Sequence, residues 1–518
     1  MTPFWPDPLF QSPPSSHFQD NHPLLIFDDF DRARILHDLE KVPFDAKGEL
    51  PSCAQLSTIL HQYFEYINPF TPFIHMPSFG VKTCPTLFLL LLLAVGDVYS
   101  EHRTLEQWAR RSFKFLLDQQ IERYEVSDEE LPITTIQALN MWVYHLAYVR
   151  SDDPKAMLQA THNRITLSYA CQSLQTQAEN SVMTEGDDES AWISWIQSET
   201  RRRTLMSVYM ADTMISMFMN VAPLLRVSQL KVPLPESDDL WYAESHQKWQ
   251  RLRRTQKKVV SLHFNEVLAD LMSAGALIKD CNGVVGLHVI AVGIEEMIAM
   301  ARRLREVDGQ GHICSKALMA KSREALEGWK AAWQLGSQRE TTKAQYIAIL
   351  SAWCCAEISL AAPEVILTTV FKVSRAKDPS PLVKTFLKDM DQFLQHLDAD
   401  ILNNLMSAAA AAVCHVESLS DFGTVTECIT TVEASVFPNV ITSIFDSGLT
   451  LWFTVKVLEK IGRYVPRAEN EILPRLLKAL NSIPWVKELS LEGNASIAAL
   501  LGDLLIKMRI WGIWLNLF

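Results

Sequence analysis

The stretch ETRRRTLMSVYMAD, residues 199–212, places three consecutive arginines at the start of a run that otherwise has the composition of a buried helix. At about 100° per residue, one helix face carries an arginine among apolar and hydroxyl side chains, with a carboxylate at each end. That face consists of Arg202, Leu205, Met206, Tyr209, Thr213 and Ser216, flanked by Glu199 and Asp212. Two interpretations are open: an anion site for phosphate or nucleic acid, or an internal ion-pair clasp between packed helices.

The rest of the 518-residue chain has the composition of a mostly helical protein. It contains only 18 glycines, which is a poor supply for tight turns, phosphate-binding loops and hairpins. Half of its 24 prolines lie in the first 85 residues, and none lies between Glu236 and Ala362. Long stretches without proline permit long helices. We therefore expect an all-α fold, a large multi-helix assembly resembling a bundle, preceded by a disordered N-terminal segment.

Net charge and cysteine usage exclude several classes of protein. A formal charge of −12 argues against a bulk surface that wraps nucleic acid, because such binding depends on neutralising phosphates. The nine cysteines include no Cys-x2-Cys pair, so we expect neither a zinc finger nor a zinc cluster within this sequence, and no other cofactor. The start shows no secretory leader, and the apolar stretches 87–95 and 497–518 read as buried helices. We expect a protein without a membrane span.

Along the chain, residues 1–32 mix proline, serine and aspartate with aromatic side chains, which predicts a disordered acidic and aromatic segment of the kind that docks on partner proteins. Helical spacing begins near Asp31 and is interrupted at Pro43. Further helices are predicted at 53–66, 83–99, 101–122, 131–149, 154–175, 189–219, 240–278, 282–305, 312–334, 340–360, 380–413, 448–463, 468–481 and 493–515.

Searches for catalytic motifs find no candidate residues. The sequence lacks a Gly-x-Gly-x-x-Gly loop, a phosphate loop, a Gly-x-Ser-x-Gly elbow and a His-Glu-x-x-His helix. A helical enzyme such as a terpene synthase needs an aspartate-rich face to hold magnesium and diphosphate. The run DDFD (28–31) has the wrong spacing and lies in the segment predicted to be disordered. We expect a protein that is not an enzyme.

One basic segment stands out against the acidic background. KWQRLRRTQKK (248–258) holds six positive side chains around Trp249: Lys248, Arg251, Arg253, Arg254, Lys257 and Lys258. It can be interpreted as a nuclear-import signal or a phosphate-contacting patch, or as the solvated face of a long helix. The acidic stretch SDDLWYAES just before it supplies counter-charge and favours the solvated face.

Five motifs in one order give the sequence a recognisable pattern. YFEYINPFTPFIHMPSF (63–79) contributes Tyr63, Phe64, Pro69, Pro72, His75, Pro77, Ser78 and Phe79. It is followed by LFLLLLLAVGDVYS, TIQALNMWVYHLAY, ETRRRTLMSVYMADTMIS and PLLRVSQLKVPLPESDDLW. Over roughly residues 50–250 this series resembles the fungal transcription factor regulatory domain, also called the middle homology region.

The resemblance implies a domain organisation and a role for the charged residues. Residues 33–250 would form the core of the regulatory domain, and residues 251–518 its helical continuation. Glu199, Arg202, Arg203 and Asp212 would form the internal clasp, because a buried charge is tolerated only when it is paired and hydrogen-bonded. His75 would be a core histidine and not a metal ligand.

The resemblance also implies function: transcription regulation in the nucleus, with DNA contacted by a zinc module. Since this sequence contains no such module, we expect either an upstream exon missing from it or a regulator that borrows its DNA contact from a partner. The helical body would sense a small-molecule effector, bind coregulators or form a homodimer, in control of a secondary-metabolite cluster or of nutrient use. The alternatives are an all-α enzyme with an unrecognised site and a helical scaffold without ligand.

Overall fold

A computed structural model describes most of the chain. The described residues are 25–40, 42–43, 50–97, 106–127, 130–149, 154–180, 188–219, 221–255, 262–274, 283–307, 313–335, 343–363, 366, 380–420 and 438–461. Within these ranges the structure has sixteen α-helices and no β-strand, which confirms the all-α expectation. One isolated antiparallel bridge joins Pro233 to His263.

The helices of the first half are α1 (Asp29–Leu39), α2 (Cys53–Gln62), α3 (Thr86–Gly96), α4 (Glu106–Val126), α5 (Ile133–Val149), α6 (Pro154–Asn180), α7 (Glu189–Met219) and α8 (Asp238–Trp241). Those of the second half are α9 (His246–Thr255), α10 (Phe264–Ala274), α11 (Val284–Val307), α12 (Ile313–Leu335), α13 (Lys343–Ala361), α14 (Ser380–Gln395), α15 (Ala399–Ser420) and α16 (Pro438–Ile461). A π-helical turn, Tyr63–Ile67, continues α2.

Local sequence explains where the first helices begin. The Asp28 side chain caps α1 by accepting a hydrogen bond from the Asp31 backbone N–H at 2.8 Å. The Asp31 side chain in turn accepts a hydrogen bond from the Asp28 backbone N–H. Ser52 and Gln55 form the same reciprocal box at the start of α2. Of the segment 1–32 predicted to be disordered, residues 1–24 lie outside the described range. The remainder folds differently from that expectation, since Phe27 is buried and α1 has begun by residue 29.

Most other helices lie within a few residues of their predicted positions, and α7 has the predicted bounds. The predicted helix 240–278 is wrong, because α8, α9 and α10 replace it. Extended backbone at Leu262 and His263 pairs with Val232–Leu234, and a helix cannot run through such pairing. The predicted helix 380–413 is likewise two helices, since the Asp398 side chain accepts from the Ile401 N–H and starts α15 afresh. The predicted helices 468–481 and 493–515 fall outside the described residues.

A large hydrophobic cluster runs through the described chain from Leu25 on the N-terminal side to Val457 in α16. Its leucine-rich helix α3 is buried along the run 86–94. At the end of α3, Gly96 lies so close to α2 that a Cβ there would stand 2.3 Å from the Ile59 carbonyl oxygen. Only glycine fits this crossing, and it brings α2 and the motif after it against α3.

Helix α11 is the central element of the second half and packs against α7, α10, α12 and α13. The stretch Val284–Arg305 is long and apolar enough to cross a membrane by length and composition, but 83% of its most apolar window is buried among the other helices. Burial of that extent accounts for its composition as a core helix. Beyond it, α13 packs against α15 and α16.

Candidate functional site

The motif of residues 63–79 begins with the π-helical turn, and its aromatic side chains pack against one another. Tyr63 and Phe64 are buried edge to face with ring centroids 5.4 Å apart, and Phe79 returns to lie 4.9 Å from Phe64. The prolines follow the bends of the segment, with Pro72 buried and Pro69 and Pro77 half-buried. The motif therefore builds a local aromatic core that fixes the position of His75.

His75 is a buried, neutral histidine at the centre of this motif. Its Nδ1 lies 2.7 Å from the Ser78 hydroxyl oxygen, and its ring meets that of Trp241 at 4.9 Å. Burial, with a smaller contribution from the positive charge of Arg203, lowers the pKa of His75 to about 3. It thus joins the motif to α8 as a packed side chain.

The centre of the site is an ion-pair cluster on α7. Arg203 donates from Nε to Glu199 Oε1 at 2.8 Å, one helical turn away. The second oxygen of Glu199 accepts from Arg202 Nη1 at 2.7 Å. The side chains of Arg203 and Glu199 are 1% and 0% exposed, so both charges are withdrawn from water and depend on each other.

Arg203 also connects α7 to two other parts of the chain. Its Nη1 donates to Asp238 Oδ1 at 3.0 Å and its Nη2 to the Glu236 carbonyl at 2.9 Å. The second oxygen of Asp238 accepts from the Val284 N–H, the first residue of α11. Burial opposes the charge on Arg203, but the carboxylates of Asp238 and Glu199 outweigh it and raise its pKa. We call Glu199, Arg202, Arg203 and Asp238 the α7 clasp.

An aromatic cluster covers this clasp, separate from the main core. It is formed by Ala191, Trp195, Leu240, Trp241, Ala243 and Trp249. The guanidinium of Arg203 lies 4.5 Å from the ring centre of Trp241, a cation–π contact that is strongest where water is excluded. The cluster closes the clasp from solvent and anchors α9 through Trp249.

The structure divides the four residues that the sequence grouped together. Glu199, Arg202 and Arg203 meet as expected, but Asp212 lies in a different cluster three turns along α7. The most buried arginine is Arg203 and not Arg202, whose side chain is 12% exposed. The helical wheel placed Arg202 on the buried face because it considered the residues of α7 alone. In the structure, the segment 236–241 covers the face of α7 that carries Arg203.

Asp212 forms a second clasp with Arg164 of α6. Arg164 Nε donates to Asp212 Oδ1 at 2.8 Å, and its Nη2 donates to the Ser216 hydroxyl at 2.7 Å. Asp212 Oδ2 accepts from the backbone N–H groups of Leu224 and Leu225 and so holds the chain that leaves α7. A cavity of about 10 Å³ adjoins this pair, with room for about one water molecule and not for a metabolite.

The arrangement favours a clasp over an anion site. All three nitrogens of the Arg203 guanidinium already donate to acceptors of the protein, so none is directed at a ligand. Among the described residues no three His, Cys, Asp or Glu side chains are spaced to hold a metal ion. The ion pairs, hydrogen bonds and ring contacts of this site can fix four segments of the chain relative to one another. They are the motif of residues 63–79, α7, the segment 236–241 and the start of α11.

The basic segment lies on α9, close to the aromatic cluster. Lys248, Arg251 and Arg254 are exposed, and Arg253 stacks 4.8 Å from the centre of the Trp249 ring. Lys248 also lies 4.0 Å from Glu244. Lys257 and Lys258 lie outside the described residues. The described part is therefore a cationic outer face on a helix whose inner face is held by Trp249.

Two partners in these clasps were missed by the sequence analysis. Asp238 was considered only as part of the acidic stretch SDDLWYAES, and the sequence carries no sign that it faces Arg203 from 35 residues away. Arg164 sits in α6 among polar residues and has no pattern that links it to Asp212. Pairs of this kind follow from helix packing and leave no local spacing to detect.

The model of the "fungal specific transcription factor domain" family matches residues 60–331, more than half of the chain. Among curated proteins, a transcription factor of Zymoseptoria tritici is 39% identical over 61 residues, or 12% of this chain and 6% of that protein. Transcription factor 1 of Elsinoe fawcettii is 36% identical over 61 residues, with the same shares of 12% and 6%.

A third relative, transcription factor PfmaH of Pestalotiopsis fici, is 34% identical over 67 residues, or 12% of this chain and 7% of that protein. The matches therefore span less than a tenth of the length of each of these relatives. No solved structure matches the chain.

Proposed function

This chain belongs to the family of the fungal specific transcription factor domain, and on that premise we propose that it is the helical regulatory body of a transcription regulator that acts in the nucleus. The family match over residues 60–331 carries the proposal. That range includes the motif of residues 63–79, both clasps and the cationic face of α9.

The α7 clasp supports a regulatory body whose parts are held as a unit. The His75 ring packs against Trp241, whose ring lies under the guanidinium of Arg203. Arg203 in turn binds Glu199 and Asp238, and Asp238 accepts from the first N–H of α11. Buried pairs of this kind hold their elements in one arrangement, because separating either charge from its partner is costly. A body of this type presents fixed surfaces to coregulators, to a DNA-binding partner or to a second copy of the chain.

DNA contact would come from outside the helical body. The nine cysteines of this sequence are not spaced for a zinc cluster, so zinc-mediated contact requires a module with its own cysteines. A DNA-binding partner protein is the other source. A small-molecule effector and target genes in a secondary-metabolite cluster belong to the same proposal, by analogy with the family.

The exposed cations of α9 fit a role in nuclear import. A fluorescent fusion of the full chain tests this when Lys248, Arg251, Arg253 and Arg254 are all replaced by alanine. We expect the nuclear signal to fall and the cytoplasmic signal to rise. A matched control replaces four exposed cations elsewhere, namely Arg123, Lys231, Lys316 and Lys321. An equal loss in both fusions, or no loss in either, would contradict a role specific to α9.

The regulatory function itself is tested by tethering. The full chain is fused to an unrelated DNA-binding domain in a fungal host, and a reporter gene behind the matching promoter is measured. We expect the reporter to rise or fall relative to the DNA-binding domain alone, and Arg203→Met to remove most of that change. Arg201→Met, which alters the neighbouring arginine, serves as the control. A reporter indifferent to the tethered chain would overturn the proposal.

The two alternative functions find less support. A terpene-synthase-like enzyme requires carboxylates arranged around magnesium, and the described residues offer no group of that geometry. A scaffold without any ligand is consistent with the small cavity beside Arg164.

A further inference from the structure

Helix α9 carries a hydroxyl group at its exposed end, directly after its arginines. Thr255 is the last residue of the helix, it is exposed, and its Oγ1 donates to the Leu252 carbonyl at 2.9 Å. Arg253 and Arg254 come just before it, and Arg251 lies one turn back. Thr255 is the only serine or threonine within α9, so a modification of this helix at a hydroxyl would fall there.

Helical geometry places Thr255 on the cationic outer face of α9. Residues three or four positions apart lie on one side of a helix, so Thr255 stands beside Arg251, which follows Lys248 by three positions. Arg254 follows Arg251 by three positions and borders the same face. These three cations are exposed, whereas Trp249 is buried on the opposite side. The hydroxyl therefore lies among cations at the surface, away from the aromatic cluster.

The positive charge at this end of α9 has no counter-charge on the same helix. The sequence of α9 contains no aspartate or glutamate. Arg251 donates from Nε to the Gln247 carbonyl at 3.4 Å, and it forms no salt bridge with a described residue. The carboxylate of Glu244 lies 4.0 Å from Lys248, two turns before Thr255. A negative group added at Thr255 would therefore meet arginines that no carboxylate of the helix neutralises.

A hydroxyl preceded by arginines is the kind of acceptor that one class of protein kinase selects. Such kinases discriminate by charge, because carboxylates of their substrate cleft pair with the planar guanidinium groups of the substrate. The last turn of a helix also frays most readily. The chain around Thr255 can therefore open into a cleft while Trp249 keeps the rest of α9 anchored.

We propose that Thr255 is a phosphorylation site of an arginine-directed protein kinase, and that its phosphate lowers the positive charge of the α9 outer face. In the transfer, Thr255 Oγ1 forms a bond to the γ-phosphorus of a nucleoside triphosphate. The bond from that phosphorus to the bridging oxygen breaks, and the nucleoside diphosphate leaves. The hydroxyl proton passes to the carboxylate base of the kinase.

The phosphate would act on the cationic face directly. It carries a charge of about −1.5 to −2 at neutral pH, which offsets about half of the charge of the four lysine and arginine side chains of α9. The C-terminal end of a helix disfavours a negative group, but Arg251, one turn back, is placed to pair with the phosphate oxygens. The effect on nuclear import rests on the function proposed above, whereas the modification of Thr255 itself does not.

Phosphorylation of the purified full chain tests the modification. The chain is incubated with magnesium ATP and the catalytic domain of protein kinase C, which selects basic surroundings, and the phosphate is located by tandem mass spectrometry. We expect phosphate on Thr255 and none on Thr176. The latter is an exposed threonine of α6 that also donates to the backbone of its own helix, but it has no arginine within two turns along that helix.

A second kinase makes this result specific to charge. Casein kinase 2, which selects acidic surroundings, should leave Thr255 unmodified. If protein kinase C fails to modify Thr255, or if both kinases modify it equally, the proposal is overturned.

Substitutions on the same face test how the site is recognised. Arg251→Gln and Arg254→Gln should each lower kcat/KM for phosphorylation of Thr255 about tenfold, as expected for loss of a charged hydrogen bond. Lys316→Gln, at an exposed lysine of α12, should leave it unchanged. Circular dichroism establishes that each variant is folded. Unchanged rates in both arginine variants would refute recognition through the cationic face.

Localisation of the fluorescent fusion tests the consequence of the phosphate. Thr255→Glu supplies a permanent negative charge, and Thr255→Val keeps the shape without the hydroxyl. We expect Thr255→Glu to lower the nuclear signal, by less than the fourfold alanine variant of α9, and Thr255→Val to leave it at the wild-type level. If only the alanine variant loses nuclear signal, the control by phosphate is refuted and the import role stands. If neither variant loses it, the import role fails, and the mass spectrum alone decides whether Thr255 is modified.

Discussion

The α7 clasp and the two acids Glu295, on α11, and Asp446, on α16, place carboxyl groups inside the protein in opposite ways. In the clasp, Arg203 uses every guanidinium nitrogen on Glu199, Asp238 and the Glu236 carbonyl. Glu295 Oε1 and Asp446 Oδ1, in contrast, are buried and have no hydrogen-bond partner. The clasp carboxylates are therefore paired with arginine, whereas each of these two acids keeps one oxygen unpaired.

This difference separates two ways in which a protein keeps a carboxyl group in its interior. A buried ion pair whose groups are already hydrogen-bonded to each other has no group left for a ligand. If one member is removed, the other stays buried without compensation for its lost hydration, which destabilises the fold. Unpaired buried acids avoid that cost by keeping their protons. Four substitutions test the contrast.

The largest effect is expected from Arg203→Met, which keeps the apolar stem but removes the charge. Glu199 and Asp238 would then remain buried without compensation, and the free energy of unfolding should fall by about 3–5 kcal/mol. Urea denaturation followed by circular dichroism measures it. The control is Arg201→Met, because Arg201 forms no salt bridge with a described residue. A loss below about 1 kcal/mol, typical of a surface pair, would show that the clasp is not what holds α7.

Asp212→Asn should have the next largest effect. The substitution keeps the shape but removes the charge that pairs with Arg164, and it weakens the acceptor for the Leu224 and Leu225 N–H groups. We expect a loss of about 1.5–3 kcal/mol, the range for hydrogen bonds to charged groups. Native-state hydrogen exchange should show faster exchange at residues 224 and 225, and unchanged exchange there would contradict the role of Asp212.

The contrast between these regions was only partly accessible from sequence. The spacing of the charged run at 199–212 left a clasp and an anion site open, and the resemblance to the family favoured the clasp. His75 was interpreted as a core histidine. The partners Arg164 and Asp238 were not predictable, since they arrive through packing of distant helices. Helix bounds were predictable where apolar spacing was regular. They were not at 240–278, where backbone pairing at His263 overrides a helical pattern.

The unpaired state of Glu295 and Asp446 left no signal in the sequence. Glu295 is followed by Glu296, and Asp446 lies 151 positions beyond Glu295, each in a helix rich in apolar residues. An acid in such a helix suggests burial, but the sequence does not show whether it has a partner. Complementary charges on one helix, such as those of Glu199 and Arg203, are visible locally, whereas an acid without a partner leaves no pattern.

Asp446→Asn should give an effect of opposite sign that depends on pH. The pKa of Asp446 is raised in the folded protein from 3.8 to about 8, so the folded state holds a proton that the unfolded state releases. The stability this contributes is fully present below about pH 4 and is lost as the pH rises towards 8. The variant has no such proton and should be as stable as the wild type at pH 4 and more stable at pH 8.

Thermal unfolding of both proteins across this range measures the difference. It should be smaller than the effect of Arg203→Met, because Asp446 is half-buried and solvent weakens its interactions. A variant that is less stable than the wild type at pH 8 would mean that Asp446 is ionised and paired, as Glu199 is in the α7 clasp.

The smallest effect is expected from Lys114→Gln on α4, which tests whether burial or proximity gives a charge pair its strength. Lys114 Nζ lies 2.6 Å from Asp118 Oδ2, closer than the Arg203 contacts, but the two side chains are 44% and 49% exposed. Glutamine preserves length and helix propensity. Because water competes for both charges, we expect a loss of only about 0.3–0.5 kcal/mol, falling further at high salt. A loss comparable with that of Arg203→Met would mean that short distance alone, and not withdrawal from water, accounts for the stability of the α7 clasp.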